Sequence, residues 1–388
     1  MAHFDVVVVG AGIAGAGVAA ELSTDRRVLL LEQEFRPGMH ATGRSAALHS
    51  EIYGNALIRA LTRAGRDALM QGERGRAFIR RRGCLHIATD AQLGRLDDFV
   101  SEPGVAAAVR RIEGAALRER VPVLLPRVTA ALEELHAYDI DVDALHGHYL
   151  RRLRSAGGRL VCSARVSGLE RSNGQWKIAA GGEAFSAPIV VNAAGAWGDE
   201  VAELAGVGAV GLQPRRRSAL IVDAPASADP AAWPAVIDID EQFYFKPDAG
   251  RILMSPADEA PSPPCDVYPD DFDLAVAVDR VQRVADIPVR RIAHSWAGLR
   301  TFAPDRTPVV GFDPAADGFF WLVGQGGYGI QTSPALSRLA AALVRGKRPP
   351  ADLAACGVRA SDFDPSRLRT GAASGRSTTS RPMRSANS

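Results

Sequence analysis

Three glycines and one acidic residue near the start of the chain have the types and the spacing needed to bind a dinucleotide. Gly10, Gly12 and Gly15 form a G-x-G-x-x-G pattern, and Glu32 follows about twenty residues later. Gly10 permits a tight turn, Gly12 lets backbone amides approach a pyrophosphate, and Gly15 allows a helix to pack closely on a strand. Glu32 can accept hydrogen bonds from both hydroxyls of an adenosine ribose. This arrangement predicts an adenine-dinucleotide site.

Two apolar strands and the start of a helix are expected to position these residues. Residues 5–9 form an apolar strand that runs into the glycines, and residues 28–31 form a second one that ends at Glu32. The helix after the glycines presents free N–H groups and a partial positive charge to the phosphates. A glycine pattern alone is weak evidence, but both strands and the acid make dinucleotide binding the favoured interpretation.

The second strand continues into a loop, residues 35–47, that is rich in small residues and hydroxyl groups. A nicotinamide-dependent enzyme usually continues with alternating strands and helices at this point. One interpretation of the segment is an ordinary surface loop. The other is a second cradle for the cofactor, with Arg44 near the pyrophosphate. In that case Thr42 and Ser45 donate hydrogen bonds, and the small Ala46 and Ala47 let a flat ring lie close.

Arginine is the residue type best suited to hold a substrate carboxylate, because its guanidinium offers two parallel donors. Arg300 lies within the small and apolar residues 296–302, where an unpaired guanidinium is costly, so a bound anion is the favoured interpretation. Arg217 follows Arg215 and Arg216, and the sequence alone does not distinguish it from these neighbours. Solvated surface arginine is the alternative at both positions.

Six stretches of the chain carry a family resemblance. They are A-T-G-R-S-A-A at 41–47, V-N-A-A-G-A-W at 191–197, L-Q-P-R-R-R-S-A at 212–219, F-Y-F-K-P-D-A-G at 243–250, W-A-G-L-R-T-F at 296–302 and G-Q-G-G-Y-G-I-Q-T at 324–332. They resemble the D-amino acid oxidase (DAO) superfamily of FAD-dependent oxidoreductases, and most closely its D-arginine dehydrogenase branch. The stretches follow one another in family order over residues 1 to about 350.

The resemblance implies an α/β fold of the DAO and glycine oxidase type. In it, a Rossmann-like FAD-binding domain is interleaved with an α+β substrate domain built on an antiparallel sheet. The implied FAD-binding domain comprises residues 1–80, 141–211 and 296–363, and the substrate-binding domain comprises 81–140 and 212–295. Residues 364–388 contain few apolar side chains and are expected to be a disordered tail.

The resemblance also implies which residues contact the substrate. In the family, two tyrosines close over the substrate and two arginines hold its carboxylate. The implied substrate-binding residues are Tyr53, Arg217, Tyr244, Arg300, Gly327 and Gln331, of which Tyr53, Tyr244, Arg217 and Arg300 are the catalytic ones. Gly327 is expected to offer its carbonyl to the substrate amine.

FAD is the implied cofactor, and noncovalent binding is expected because no cysteine lies near Gly298 and Leu299, where sarcosine oxidases carry one. Val166 is expected to meet the adenine through its backbone. The implied cofactor-binding residues are Gly10, Gly12, Ile13, Ala14, Gly15, Glu32, Gln33, Ala41, Thr42, Gly43, Arg44, Ser45, Ala46, Ala47, Leu48, Val166, Ala194, Gly195, Trp197, Gly326, Gly327, Tyr328, Gly329, Ile330 and Gln331.

The implied reaction is oxidative deamination of D-amino acids, with hydride transfer from the substrate Cα to the flavin N5 and hydrolysis of the imino acid to a 2-oxo acid and ammonia. Broad specificity as a dehydrogenase is expected. Oxidation of another small amine or 2-hydroxy acid, such as glycine, sarcosine or 2-hydroxyglutarate, is an alternative. A flavin-binding subunit without turnover is another. Whether oxygen or a quinone reoxidises the flavin stays open.

Two departures from the D-arginine dehydrogenase pattern bear on substrate choice. Leu48 stands where that branch is expected to hold a histidine, and Cys84 falls near its guanidinium-binding glutamate. No acid lies between Gly83 and Thr89. Because both changes remove polarity from the distal pocket, we expect a reduced preference for D-Arg and D-Lys and better use of apolar or aromatic side chains.

Composition agrees with a globular enzyme. The 388 residues carry 23% charged side chains and a formal net charge of +2, which argues against nucleic acid or an anionic membrane as a partner. No leader and no run of eighteen apolar residues is seen, so a cytoplasmic monomer is expected, with peripheral membrane association open. The four cysteines show no C-x-x-C spacing, so free thiols are favoured over disulfides, and no metal site is expected.

Overall fold

A mainly parallel sheet receives the first strand of the glycine motif. The computed structural model describes residues 1–226 and 229–369, and within them this sheet has six strands. In spatial order they are Arg159–Val161, Val28–Leu31, Val6–Val9, Ile189–Asn192, Phe319–Val323 and Val309–Phe312. The first five run parallel and the last is antiparallel to its neighbour. This sheet is the Rossmann-like core that the sequence predicts.

Both faces of this sheet are covered, which explains why its strands are apolar throughout. Val6 and Val8 face helices, whereas Val7 and Val9 face a smaller sheet and its aromatic residues. The smaller sheet has the strand order Ala2–His3, Glu183–Ala187, Gln175–Ala180 and Val166–Ser172.

A largely antiparallel sheet forms the second half of the molecule. Its strands, in order across the described residues, are Gln325–Gly326, His294–Phe302, Gln213–Asp223, Arg251–Ser255, Tyr244–Asp248, Ala235–Asp238, Cys84–Thr89, Val128–Glu134 and Val109–Glu113, with Ala260–Pro261 paired to Gln213–Asp223. Leu48–His49, Tyr138–Ile140 and Ile79–Arg81 form a small sheet at the junction of the two halves. The α/β class and the interleaved architecture are confirmed.

Helices connect and cover the sheets. In chain order the α-helices of the described residues are Ile13–Leu22, Ala56–Gln71, Leu93–Ser101, Ala115–Arg120, Val142–Ser155, Gly198–Leu204, Asp271–Gln282, Gly329–Val344 and Ala351–Ala355. Short 3-10 helices lie at Asp90–Gln92, Gly195–Trp197, Ala360–Asp362 and Pro365–Leu368. Asp141 caps the fifth α-helix by accepting from the Ala144 amide at 2.9 Å. No helix in the described part of the chain is long and apolar enough to cross a membrane.

Two expected boundaries differ from the structure. The strand His294–Phe302 pairs with the strand Gln213–Asp223 and belongs to the antiparallel sheet. Residues from 296 onward were expected in the FAD-binding domain. Residues 364–369 were expected in a disordered tail, yet Pro365 is buried and Arg367 donates to Asp305 at 2.7 Å. These contacts outweigh the polar composition of the segment. Residues 370–388 of the expected tail lie outside the described residues.

Candidate functional site

A long cleft begins where the strands Val6–Val9 and Val28–Leu31 end and the helix Ile13–Leu22 starts. Most of the residues implied as cofactor ligands line it: Gly10, Gly12, Ile13, Ala14, Glu32, Gln33, Ala41, Thr42, Arg44, Ser45, Ala46, Val166, Ala194, Gly195, Trp197, Gly326, Gly327, Gly329 and Ile330. The structure thus brings distant parts of the sequence into one cleft.

The glycines of the motif have the geometry that the pattern predicts. Gly10 has φ of +97°, and a Cβ there would lie 2.5 Å from the carbonyl oxygen of Ala193. A Cβ on Gly15 would lie 1.8 Å from the carbonyl oxygen of Gly10. The helix therefore approaches the strand as closely as backbone atoms allow. This cradle fits the diphosphate of FAD, because larger side chains would fill it.

Glu32 lies at the end of its strand and lines the cleft with a fixed carboxylate. Its two oxygens accept from the backbone N–H groups of Ala11 at 2.9 Å and Glu34 at 3.0 Å. Burial raises the pKa of Glu32 above its ordinary value. Each oxygen keeps a further lone pair, so the carboxylate can still accept from ribose hydroxyls.

Thr42 supports the expected second cradle, whereas Arg44 does not have the expected role. The hydroxyl oxygen of Thr42 accepts from the Ile13 amide at 3.0 Å, which ties the loop to the first turn of the phosphate-facing helix. The guanidinium of Arg44 is engaged elsewhere: it donates to the carbonyls of Met39, Val267 and Ala297 and pairs with Asp266. Arg44 therefore joins the loop to the antiparallel sheet rather than presenting free donors to a pyrophosphate.

Six implied cofactor residues lie outside the wall of the cleft. They are Gly15, Gly43, Ala47, Leu48, Tyr328 and Gln331. Gly15 acts through packing, as described above. Ala47, Leu48 and Gln331 instead line a second space, and the side chain of Gln331 is occupied there, accepting from the Ser50 amide at 3.2 Å and donating to Thr62 at 2.9 Å.

This second space, the side cavity, adjoins the cleft and shares part of its wall with it. Residues shared by both walls are Ser45, Ala46, Arg217, Tyr244, Arg300, Gly327 and Ile330. The other residues of the side cavity are Ala47, Leu48, Ser50, Tyr53, Ile237, Glu241, Phe243, Ala257 and Gln331. All six implied substrate residues therefore line one cavity beside the cleft.

Arg300 lies at the centre of this junction. Its Nη1 donates to the hydroxyl oxygen of Tyr53 at 3.0 Å. A Cβ on residue 327 would lie 2.7 Å from the same Nη1, so Gly327 leaves the room that the guanidinium occupies. Arg300 forms no salt bridge with a carboxylate among the described residues. A partly buried cation with free donors is a site for an anion.

Strand alternation separates Arg217 from its neighbours. Arg217 lies opposite Gly298 and Arg215 lies opposite Arg300, so these positions share one face of the sheet. Arg216 points to the other face and pairs with Asp273 at 2.6 Å. Period-two alternation in the sequence separates Arg216 from Arg215 and Arg217, but only the strand pairing shows which face meets the site.

Arg217 is already paired on one side. Its Nε donates to the carbonyl of Asp258 at 2.8 Å, and its Nη2 contacts Glu259 at 3.2 Å. Burial, followed by the positive charge of Arg300, lowers the pKa of Arg217 from its ordinary value. The two arginines thus repel each other, and an anion between them would relieve that repulsion.

The departures predicted at Leu48 and Cys84 have different outcomes. Leu48 lines the side cavity, as expected. Cys84 is fully buried and lies behind the wall, packed with Leu48 and Ile237. The wall does contain one acid, the exposed Glu241, which reasoning from residues 83–89 missed because it comes from another strand connection.

Two further residues of the site were not anticipated. Glu259 pairs with both Arg217 and Arg306, and Cys265 lines the long cleft. No local pattern marks either residue, because their neighbours in space lie on other strands. The Tyr328 ring packs edge-on against the rings of Phe302 and Tyr53, with centroids 6.4 and 4.9 Å apart.

Comparison with known proteins agrees with this geometry. The family model described as FAD dependent oxidoreductase (DAO) matches residues 5–343. FAD-dependent oxidoreductase domain-containing protein 1 of Xenopus laevis is 30% identical over 179 residues, which is 40% of this chain and 34% of that protein. The match thus spans about a third of the length of such curated relatives.

Solved structures share the fold at low identity. Glycine oxidase from Geobacillus kaustophilus has a TM-score of 0.75 at 22% identity, covering 89% of this chain and 96% of its own. L-proline dehydrogenase from P. horikoshii has a TM-score of 0.79 at 20% identity, and the match covers 95% of this chain and 99% of that protein. Both likenesses concern the fold.

Proposed function

The chain belongs to the DAO family of FAD-dependent oxidoreductases, with FAD as its cofactor, and from that premise we propose that it oxidatively deaminates D-amino acids as a dehydrogenase of broad specificity. The motif resemblance to the D-arginine dehydrogenase branch supports the choice of D-amino acids over other substrates of the family. Under this proposal the long cleft holds FAD and the side cavity holds the amino acid.

The observation that carries the proposal is the position of Arg300. It faces a cavity that opens into the long cleft, has no carboxylate partner among the described residues, and is held by Tyr53. A guanidinium in this environment binds a carboxylate through two parallel hydrogen bonds. The carboxylate end of a substrate then lies at the junction of the two spaces, and the rest of the substrate extends into the side cavity.

FAD held in the long cleft would supply the hydride acceptor for the substrate Cα, and the imino acid product would hydrolyse in water to a 2-oxo acid and ammonia. The chain itself supplies orientation and charge. Arg300 and Arg217 fix the carboxylate, the rings of Tyr53 and Tyr244 shield it from water, and the Gly327 carbonyl is available to a substrate amine. No general base is needed if the amine binds in its neutral form.

The wall of the side cavity supports a preference for apolar side chains. Leu48, Ile237, Phe243 and Ala257 present apolar surface, and Glu241 is the acid among the residues that line it. We propose that D-amino acids with apolar or aromatic side chains are used better than D-Arg or D-Lys. Because Glu241 is exposed, its carboxylate is hydrated and offers a cationic side chain little net gain.

Anaerobic stopped-flow reduction of the holoenzyme by each D- and L-amino acid tests the proposal. Bleaching of the flavin by D-amino acids, fastest with apolar ones, is the expected result. Reduction by L-amino acids, glycine, sarcosine or 2-hydroxyglutarate alone would contradict the substrate proposal, and no bleaching by any of them would indicate a non-catalytic subunit. A specificity constant for D-Arg at least tenfold above all others would overturn the side-chain preference. Mixing reduced enzyme with oxygen or a soluble quinone identifies the acceptor.

A further inference from the structure

Cys84, His86 and Glu134 form a buried cluster behind the side cavity. Cys84 and His86 are alternate residues of one strand, and Glu134 lies directly opposite Cys84 on the neighbouring antiparallel strand. Alternation therefore directs all three side chains to the same face of the sheet. Each is at most 5% exposed.

The potential ligand atoms converge on one point. A thiol sulfur, an imidazole nitrogen and a carboxylate oxygen of these residues all lie within 4.8 Å of one another. The Nε2 of His86 is 3.9 Å from Oε2 of Glu134 and has no hydrogen-bond partner. Ligands of a tetrahedral zinc ion lie roughly 3.4 Å apart, given bond lengths of about 2.0–2.3 Å. The three groups need to close by about one ångström to share an ion.

The charge of Glu134 is otherwise uncompensated. Its side chain is fully buried, and within the described residues it forms no salt bridge with a lysine or an arginine. A buried carboxylate without a cation is costly. A divalent cation bound to one thiolate, one carboxylate and one neutral imidazole leaves no net charge in this apolar region.

We propose that Cys84, His86 and Glu134 form a structural binding site for a divalent transition-metal ion of the zinc class. Sulfur, nitrogen and oxygen ligands together suit Zn²⁺ rather than Mg²⁺ or Ca²⁺, which prefer oxygen alone. Binding displaces the thiol proton of Cys84 to solvent, and the Cys84 sulfur binds as a thiolate. Three protein ligands leave a fourth position for water.

The groups around the cluster give the site a role. The Glu134 carboxylate accepts from the Ser50 hydroxyl at 2.8 Å and from the Glu51 amide at 3.0 Å. Such outer hydrogen bonds orient carboxylates that bind metals. Because Ser50 and Glu51 lie just before Tyr53, the ion fixes the segment that carries this tyrosine into the side cavity. This proposal does not depend on the identity of the substrate.

Metal analysis of the full-length holoenzyme tests the site. After expression in zinc-supplemented medium, mass spectrometry should find about one zinc per chain, and chelation should lower Tm. Reconstitution of the chelated protein with Co²⁺ should produce the thiolate-to-cobalt charge-transfer band in the near ultraviolet. Cys84→Ser should abolish this band, and Glu134→Gln should weaken metal binding at least tenfold.

Cys356→Ser is the matched control, since Cys356 is a free cysteine that is not a member of the cluster, and this variant should leave the metal content unchanged. If Cys84→Ser does not fold well enough to retain FAD, the cobalt spectrum of the wild-type protein alone tests whether a thiolate binds the metal. Wild-type protein that keeps its flavin, binds less than a tenth of an equivalent of zinc and shows no cobalt band would overturn the proposal.

Discussion

Arg300 donates a hydrogen bond to the hydroxyl of Tyr53 across 3.0 Å, joining the antiparallel sheet to the segment that follows the cofactor loop. The two residues are 247 positions apart in the sequence. The contact therefore positions the guanidinium and closes one side of the cavity at the same time. It leaves the remaining donors of Arg300 directed at the space where the cavity and the cleft meet.

Arg300→Lys is expected to lower kcat/KM at least tenfold for amino acid substrates. Lysine keeps the charge but loses the parallel pair of donors, and a hydrogen bond to a charged group contributes roughly 1.5–3 kcal/mol. Steady-state kinetics with the best substrate measures the effect. Tyr53→Phe, which removes one hydroxyl and keeps the ring, should have a smaller effect, and an Arg300→Lys enzyme with unchanged kcat/KM would rule out the anchor.

Gly15→Ala is expected to weaken FAD binding at least tenfold and to lower Tm. A Cβ at this position would lie 1.8 Å from the Gly10 carbonyl oxygen, so the helix must move away from the strand that presents the phosphate-binding turn. Overpacking of this kind costs about 1–3 kcal/mol.

Flavin content after dialysis and a fluorescence titration of apoprotein with FAD measure the change. Gly94→Ala is the control, because Gly94 has no atom within 4 Å of an added Cβ and lies in the helix Leu93–Ser101. Equal flavin affinity in the Gly15 and Gly94 variants would show that the close approach does not serve the cofactor.

The parts of the site that the sequence predicts are those encoded locally. Gly10 and Glu32 directly follow their strands and Gly15 lies in the first turn of the next helix, so their geometry can be read from pattern and spacing. Asp141 is predictable for the same reason, since a helix cap involves residues only three apart.

Residues whose roles depend on long-range strand pairing were not predictable in this way. Glu134 lies opposite Cys84 only because two strands fifty residues apart pair in one register, and Glu259 reaches Arg217 across a chain reversal. The reassigned role of Arg44 has the same origin, because its partners Val267 and Ala297 come from the other half of the molecule. No local composition records such contacts.

Glu259→Gln is expected to improve the binding of dicarboxylates relative to monocarboxylates. Burial opposes ionisation of Glu259, but Arg306 and Arg217 outweigh it and lower the pKa of this carboxyl below its ordinary value. The residue is therefore ionised near neutral pH and neutralises part of the charge of Arg217. Removing its charge leaves a second guanidinium free for an anion.

Absorbance titration of the flavin with malonate and with acetate measures this change as a ratio of two Kd values. The ratio should shift at least threefold toward malonate in Glu259→Gln. Glu183→Gln, an exposed carboxylate paired with Arg159, should leave it unchanged. A constant ratio in both variants would mean that Arg217 does not contact the anion.

The free energy of unfolding is expected to fall as the pH decreases from about 6.5 to 5.5. Burial lowers the pKa of His146 and of His49 below the value near 6.5 that unfolded histidine has. Between the folded and the unfolded pKa the unfolded chain binds more protons, so stability rises with pH there. Most carboxylates stay ionised in this window and contribute little to the change.

Urea midpoints at pH 7.5, 6.5 and 5.5 measure this dependence. The His146 Nε2 is 2.9 Å from the Ala11 carbonyl oxygen, to which a neutral glutamine can also donate. His146→Gln should therefore flatten the decline, whereas His136→Gln, at an exposed position, should not. If the urea midpoint falls with pH by the same amount in both variants, a group other than His146 is responsible for the pH dependence of stability.

FAD is expected to be released completely by acid precipitation, because no covalent link is predicted. The sequence near Gly298 and Leu299 contains no cysteine, but the structure brings Cys265 into the wall of the long cleft. There its sulfur lies 3.6 Å from the Ser262 hydroxyl and packs with apolar residues. Yellow colour left in the wild-type pellet and absent from a Cys265→Ser pellet would establish a thioether at Cys265. Colour confined to the supernatant in both proteins confirms noncovalent binding.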